Sequence, residues 1–184
     1  MPLSNSQGFT LAELIVSIFI ISLLSATFIA NYHSAKRSGE LNITAQNFAS
    51  SIRMVQNYTL GMKKFEGNLP IGGWGVNIAK GDNKYTIFVD MDKDGEMDAT
   101  EMYKIIYLPD GINITSIKLN DLNINFATNI IFIPPNPNTN IEYIKNNGSV
   151  QWPDLDKAEI ELSNSTGSTK NILINKFGLV DVEN

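Results

Sequence analysis

The chain has 184 residues, 43% of them hydrophobic, a net charge of -5, a single histidine and no cysteine. That length suits one domain plus a membrane segment. Without cysteine there are no disulfides and no thiolate chemistry; a triad or a histidine-based zinc site needs more than the one imidazole of His33; and a mildly acidic chain with scattered basic residues carries no footprint for nucleic acid.

The first predicted element is apolar. From residue 1 to 35 the only carboxylate or basic side chain other than His33 is Glu13, and Leu14 to Ala30 are all apolar or small hydroxyl residues. With Phe9 to Ala12 included, the stretch reaches the roughly 20 residues that span a bilayer core as a helix. It is long for a secretory signal, and Met1 to Gly8 has no Lys or Arg, whereas Lys36 and Arg37 follow the run. A plain anchor fits the length but leaves Glu13 unexplained, because a carboxylate in an apolar helix is costly and calls for a partner.

No proline occurs between Pro2 and Pro70, so the helix is expected to continue from Phe9 to about Met62, roughly 80 Å at 1.5 Å per residue. Leu41, Ala45, Phe48, Ile52, Val55, Thr59 and Met62 recur at spacings of four and three and predict one buried stripe. Ser38, Asn42, Gln46, Ser50, Arg53 and Asn57 form its polar side, Gly39 is a place where the helix can loosen, and Gly61, Gly67 and Pro70 are stop signals.

From residue 71 the period becomes that of strands. Segments 74–78, 85–89, 102–107, 112–115, 130–133, 158–162, 172–174 and 179–182 read as strands separated by polar turns, including Asn146-Asn147-Gly148. Glu159-Ile160-Glu161-Leu162 alternates as a sheet with one wet face does, and Pro134-Pro135-Asn136-Pro137-Asn138 reads as an extended loop or edge. Trp74 and the phenylalanines read as core. The fold class is α+β: one long N-terminal helix, membrane-spanning in its first half, packed on antiparallel sheets.

Asp90-Met91-Asp92-Lys93-Asp94-Gly95-Glu96-Met97-Asp98-Ala99-Thr100-Glu101 has the pattern of a calcium loop. Side-chain oxygens stand at the first, third, fifth, ninth and twelfth positions (Asp90, Asp92, Asp94, Asp98, Glu101), Gly95 allows the sharp turn, and Glu96 offers its backbone carbonyl. The predicted flanks are strands, so the expectation is a structural calcium staple between two strands, set against a solvated turn to which Asp and Gly are simply suited.

Ser6-Gln7-Gly8-Phe9-Thr10-Leu11-Ala12-Glu13 resembles the processing signal of type IV pilins and type II secretion pseudopilins. The resemblance implies that a prepilin peptidase cuts between Gly8 and Phe9, that the new amine of Phe9 is methylated, and that Glu13 pairs with the amine of a neighbouring subunit during filament assembly. The leader departs from that family's pattern in carrying no basic residue. Gly73-Trp74-Gly75-Val76, Phe88-Val89-Asp90 with Gly95 and Glu101, Phe132-Ile133-Pro134-Pro135 and Ile174-Asn175-Lys176-Phe177-Gly178-Leu179-Val180 are similar to the GspH/FimT branch of minor pilins and pseudopilins. Some FimT-like pilins bind DNA through basic C-terminal residues; this chain ends Val180-Asp181-Val182-Glu183-Asn184, which is acidic, so DNA binding is not carried over.

The resulting division is a leader 1–8, a transmembrane and assembly helix 9–30, an amphipathic second half 31–64, and a β-rich head 70–184. The resemblance implies a structural minor subunit without enzymatic activity, held in the inner membrane before assembly into an extracytoplasmic pilus or pseudopilus, with other subunits and the peptidase as partners. The alternative is a membrane-anchored, calcium-dependent extracellular binding module. An exported enzyme finds no support, since no cleft or nucleophile pattern accompanies carboxylate pairs such as Asp90 and Asp92.

Overall fold

The computed structural model describes residues 8–134, 138–144, 150–151 and 155–183. The expected leader up to Gln7, the Pro135 to Pro137 part of the proline loop and the Asn146-Asn147-Gly148 turn lie outside the described residues.

Helix α1 spans Leu11–Leu60 and includes Gly39. It begins and ends two residues inside the expected limits. Gly61 and Met62 already lie in the turn that follows, where Lys63 N donates to Tyr58 O and Met62 takes a positive φ of 48°. The chain divides into two compact units, Met1–Arg37 and Ser38–Asn184.

In the first unit every large apolar side chain from Phe9 to Ile29 is more than half exposed. Its hydroxyls are satisfied within the helix. Ser17 donates to Glu13 O, Ser22 to Ile18 O, and Thr27 to Leu23 O and Leu24 O. A helix whose apolar side chains face outward on all sides, and whose polar groups bond back to its own carbonyls, suits lipid or other apolar helices better than water.

In the second unit α1 becomes one-sided. Leu41, Thr44, Ala45, Phe48, Ala49, Ile52, Val55 and Thr59 are buried, while Ser38, Asn42, Gln46, Ser50, Arg53 and Asn57 are exposed. Met62, expected on the buried stripe, is 58% exposed because the helix has ended before it. The stripe faces two antiparallel sheets. The first has six strands in the order β3-β2-β1-β6-β7-β8, and the second five in the order β11-β10-β9-β4-β5. Their ranges are β1 Gly73–Ile78, β2 Lys84–Asp90, β3 Met102–Tyr107, β4 Ile112–Leu119, β5 Leu122–Ile124, β6 Thr128–Ile133, β7 Asn138–Ile144, β8 Val150–Gln151, β9 Lys157–Asn164, β10 Thr169–Asn175 and β11 Val180–Glu183. The α+β class expected is the class found. Strands β5, β7 and β8 were not anticipated, and Asn138, expected in the loop, opens β7.

Helix and sheets share one core. Phe48 meets Tyr85 of β2 edge-to-face at 4.4 Å, Tyr85 shares a 2.8 Å hydrogen bond with Ser51, and Thr59 donates to Phe132 O of β6. Strand β9 shows the wet-face alternation: Ala158, Ile160 and Leu162 are buried, while Lys157, Glu159 and Glu161 are partly exposed. At the other end of the core, Arg53 donates to Val180 O at 2.6 Å and Gln56 to Gly178 O, so two polar helix side chains meet β11 and its preceding turn. Trp74 is fully buried, as core. Phe48→Ala is expected to destabilise the second unit by about 3–5 kcal/mol, the cost of an aromatic cavity in a close-packed core. Denaturant unfolding of the full chain in detergent, followed by tryptophan fluorescence, measures it; an unchanged midpoint would mean that the helix does not pack where it is placed.

Candidate functional site

Two constellations carry chemistry. The first opens α1. Thr10 sits just before the first helical residue and acts as its N-cap: Glu13 N donates to Thr10 Oγ1 at 3.2 Å. In return, Thr10 N and Thr10 Oγ1 donate to Glu13 Oε2 at 2.9 and 2.8 Å. This is a reciprocal capping box, two otherwise unsatisfied donors meeting one carboxylate and one hydroxyl. Thr-Leu-Ala-Glu is a Thr-x-x-Glu spacing that would have announced it in the sequence. Gly8 and Phe9 precede the helix in extended chain, and Phe9 is 86% exposed. In the single chain, then, the Glu13 carboxylate is turned back on its own N-terminal turn.

The second constellation joins β2 to β3. Both flanks of the acidic loop are strands, and the loop is anchored at each end by a buried carboxylate. Asp90, the last residue of β2, is 1% exposed, and Glu101, just before β3, is 6% exposed. Glu101 Oε1 accepts from Met91 N at 2.7 Å and its Oε2 from Asp98 N at 3.3 Å, while its main chain pairs with Val89 and Asp98. Asp90 Oδ1 accepts from Lys93 N at 2.6 Å, Asp92 Oδ1 from Asp94 N, and Asp94 Oδ1 from Glu96 N. Lys93 and Gly95 take φ values of 68° and 78°, which fold the loop back. Asn129 of β6 donates to Gly95 O at 2.8 Å and is itself held by Asn77, fixing the turn against the sheet.

One carboxylate oxygen from each of Asp90, Asp92 and Asp94 lies within 4.8 Å of the others. Glu96, Asp98 and Glu101 do not join that convergence; Glu101 spends its oxygens on the loop backbone. Burial raises the Asp90 carboxyl above its ordinary value, and Asp94 and Asp92 add to that, against the Lys93 and Gly95 N–H groups. Burial likewise raises Glu101. Three converging oxygens with one acid held up by burial is a donor set of the hard-cation kind. Gly72, absent from the expected site, belongs to it: its N–H donates to Asp90 O, and a methyl group there would overlap the Asp90 carboxylate.

Sequence reasoning also missed a cluster around Lys63. Its ammonium lies 3.4 Å from the Tyr58 ring centre, 4.4 Å from Tyr103 and 5.1 Å from Trp74, and donates to Tyr103 Oη at 3.0 Å. Burial works against the charged form, but the Tyr103 and Tyr58 hydroxyls hold the Lys63 pKa above its ordinary value. Cation–π contact and the Trp74 Nε1 bond to Lys63 O tie the turn after α1 to β1 and β3.

Residues 3–29 match the prokaryotic N-terminal methylation motif. The match is confined to the N-terminal segment, the opening of α1 and the residues before it. The hydrophobic N-terminal helix is consistent with membrane anchoring. Among solved structures the chain is similar to the minor pseudopilin EpsH from the type 2 secretion system of Vibrio cholerae, at 12% identity and a TM-score of 0.40, over 78% of this chain and 96% of that one. No curated protein matches the chain.

Proposed function

We propose that this chain is a minor subunit of the GspH/FimT kind in a type IV pilus or type II secretion pseudopilus. The observation that carries the proposal is the methylation motif opening a helix whose apolar side chains are outward on all sides. On this reading a prepilin peptidase cuts between Gly8 and Phe9 at the inner membrane, Phe9 becomes the methylated N-terminus, and α1 assembles against the same segment of other subunits outside the cytoplasm. Glu13 then exchanges its own capping bonds to Thr10 for the amine of a neighbour. Mass spectrometry of the N-terminus, with and without a co-expressed prepilin peptidase, tests it. A methylated Phe9 terminus that appears only with the peptidase is the expected result; an unprocessed chain in both cases would overturn the assignment.

A second reading concerns the acidic loop alone. Calcium held by Asp90, Asp92 and Asp94 would staple β2 to β3, with Glu101 bracing the loop backbone beside it. The convergence of the three aspartates favours it. The role is structural and is compatible with either a filament subunit or an anchored extracellular binding module.

A further inference from the structure

The two sheets treat their lysines differently. On the five-stranded sheet and its loops, Lys118 pairs with Glu159, Lys157 with Asp121 and Lys176 with Asp156. At the β3 end of the six-stranded sheet no lysine has a carboxylate partner among the described residues. Lys104 lies in the middle of β3, Lys84 stands opposite Tyr107 across the β2–β3 ladder, and Lys63 is bonded to the Tyr103 hydroxyl.

Strand β3 is also an open edge, since among the described strands it pairs with β2 alone. The register shifts between Ile87 and Phe88, so Tyr103 is an extra residue, and Lys104–Tyr107 forms the regular part of the edge. Leu108 N donates inward to Asn83 O. By the alternation of an antiparallel ladder, Ile105 and Tyr107 therefore turn their N–H and C=O groups outward. The other end of the protein is guarded: Arg53 and Gln56 take up the Val180 and Gly178 carbonyls beside β11. Among the described residues no such cover lies over Lys104–Tyr107 of β3, whose sequence Met-Tyr-Lys-Ile-Ile-Tyr has one charge and no proline.

An open, mostly apolar edge that carries the Lys104 ammonium attracts extended chain but discriminates by charge. A second β3 would bring Lys104 near its own copy, and like charges across paired strands are unfavourable. A strand with carboxylates at alternate positions, all on one face, meets Lys104 with opposite charge; Lys84, paired with Tyr107, stands on the other face. We propose that the outer edge of β3, Lys104–Tyr107, accepts by strand addition an extended acidic segment of a neighbouring subunit; the identity of the donor as a subunit rests on the filament reading, the chemistry of the edge does not.

The test uses the full chain in detergent micelles and a synthetic peptide of alternating valine and glutamate, with an alternating valine–lysine peptide of equal length as control. The glutamate peptide is expected to bind, to weaken with added salt, and to slow hydrogen exchange at the Ile105 and Tyr107 amides by roughly tenfold or more. K104E is expected to weaken that binding by about tenfold or more and to favour the lysine peptide, because it replaces an attraction with a like-charge opposition. Ile105→Pro removes an outward donor without touching the inner ladder and is expected to abolish binding while the circular dichroism stays native. Equal affinity for both peptides, no binding, or unchanged exchange at Ile105 and Tyr107 would overturn the proposal. A chain that takes the glutamate peptide but is never processed or assembled overturns the filament reading and keeps this edge; one that assembles without taking the peptide does the reverse.

Discussion

Glu13→Ala is expected to reduce incorporation into filaments by roughly a hundredfold or more while leaving the head folded and the helix in the membrane. The size follows from what the substitution strands. If Glu13 neutralises the amine of a neighbouring Phe9 inside an apolar bundle, removing it leaves that amine buried and unpaired, a loss of about 3–5 kcal/mol per contact, and each 1.4 kcal/mol is about tenfold in an equilibrium. The structure supplies the control. Glu13 also caps its own helix, accepting from Thr10 N and Thr10 Oγ1. Loss of the cap alone costs about 1 kcal/mol, less than tenfold. Thr10→Val removes the hydroxyl half of the capping box and keeps the carboxylate, so it should lower incorporation only modestly. Insertion should not suffer in Glu13→Ala, because deleting a carboxylate from an apolar helix makes the membrane a better solvent for it. Sheared-filament and membrane fractions probed for both variants give the measurement. Wild-type levels of Glu13→Ala in the filament fraction would sink the pairing, and equal defects in the two variants would assign the effect to the cap.

The fold was largely legible because two periods are written plainly in the chain. The stripe Leu41, Ala45, Phe48, Ile52, Val55 and Thr59 places one face of α1 in the core, and the alternation of β9 gives its wet face. Strands β5 and β8 were illegible for the same physical reason: three and two residues are too short to show a period. Strand β7 follows a run of prolines and is rich in asparagine, which weakens both its start signal and its propensity. Within the acidic loop, spacing singled out six acidic residues and the strand flanks; the structure brings Asp90, Asp92 and Asp94 together, and the spacing does not show that division among the six. That Asp90 is buried and points inward while Glu101 is consumed by the backbone of Met91 and Asp98 depends on how the loop is pressed onto Asn129, a residue far off in the chain. Lys63 was illegible too, because its partners Tyr58, Trp74 and Tyr103 come from three separate elements.

If calcium occupies the loop, its addition should raise the melting temperature of the head by roughly 5–10 °C, taking about 2.7 kcal/mol at a hundredfold excess over the dissociation constant and about 2–4 °C per kcal/mol for a protein of this size. The effect should depend on pH with a definite sign. Burial raises Asp90 and Glu101 above their ordinary values of 3.8 and 4.5. The folded, metal-free chain therefore binds these protons more tightly than the unfolded one. Their contribution to stability is full below those ordinary values and is lost as pH rises through the raised ones. As the pH rises and these carboxyls ionise, main-chain N–H groups alone offset their charge in the metal-free loop, and there a divalent cation has most to give. Calcium should thus stabilise strongly near neutral pH and hardly at all below the ordinary carboxylate values, where protons occupy the same oxygens. Asp92→Ala removes an exposed ligand without opening the core and should erase the calcium shift while leaving the metal-free melting temperature almost unchanged. Gly72→Ala should erase it by a different route, since the added methyl displaces the Asp90 carboxylate, and should lower the metal-free stability as well. Scanning calorimetry of the three proteins with calcium and with a chelator separates these outcomes. A wild-type melting temperature indifferent to calcium at neutral pH would leave the loop a turn held by its own Asp and Gly residues, and a calcium shift that survives Asp92→Ala would place the ion elsewhere.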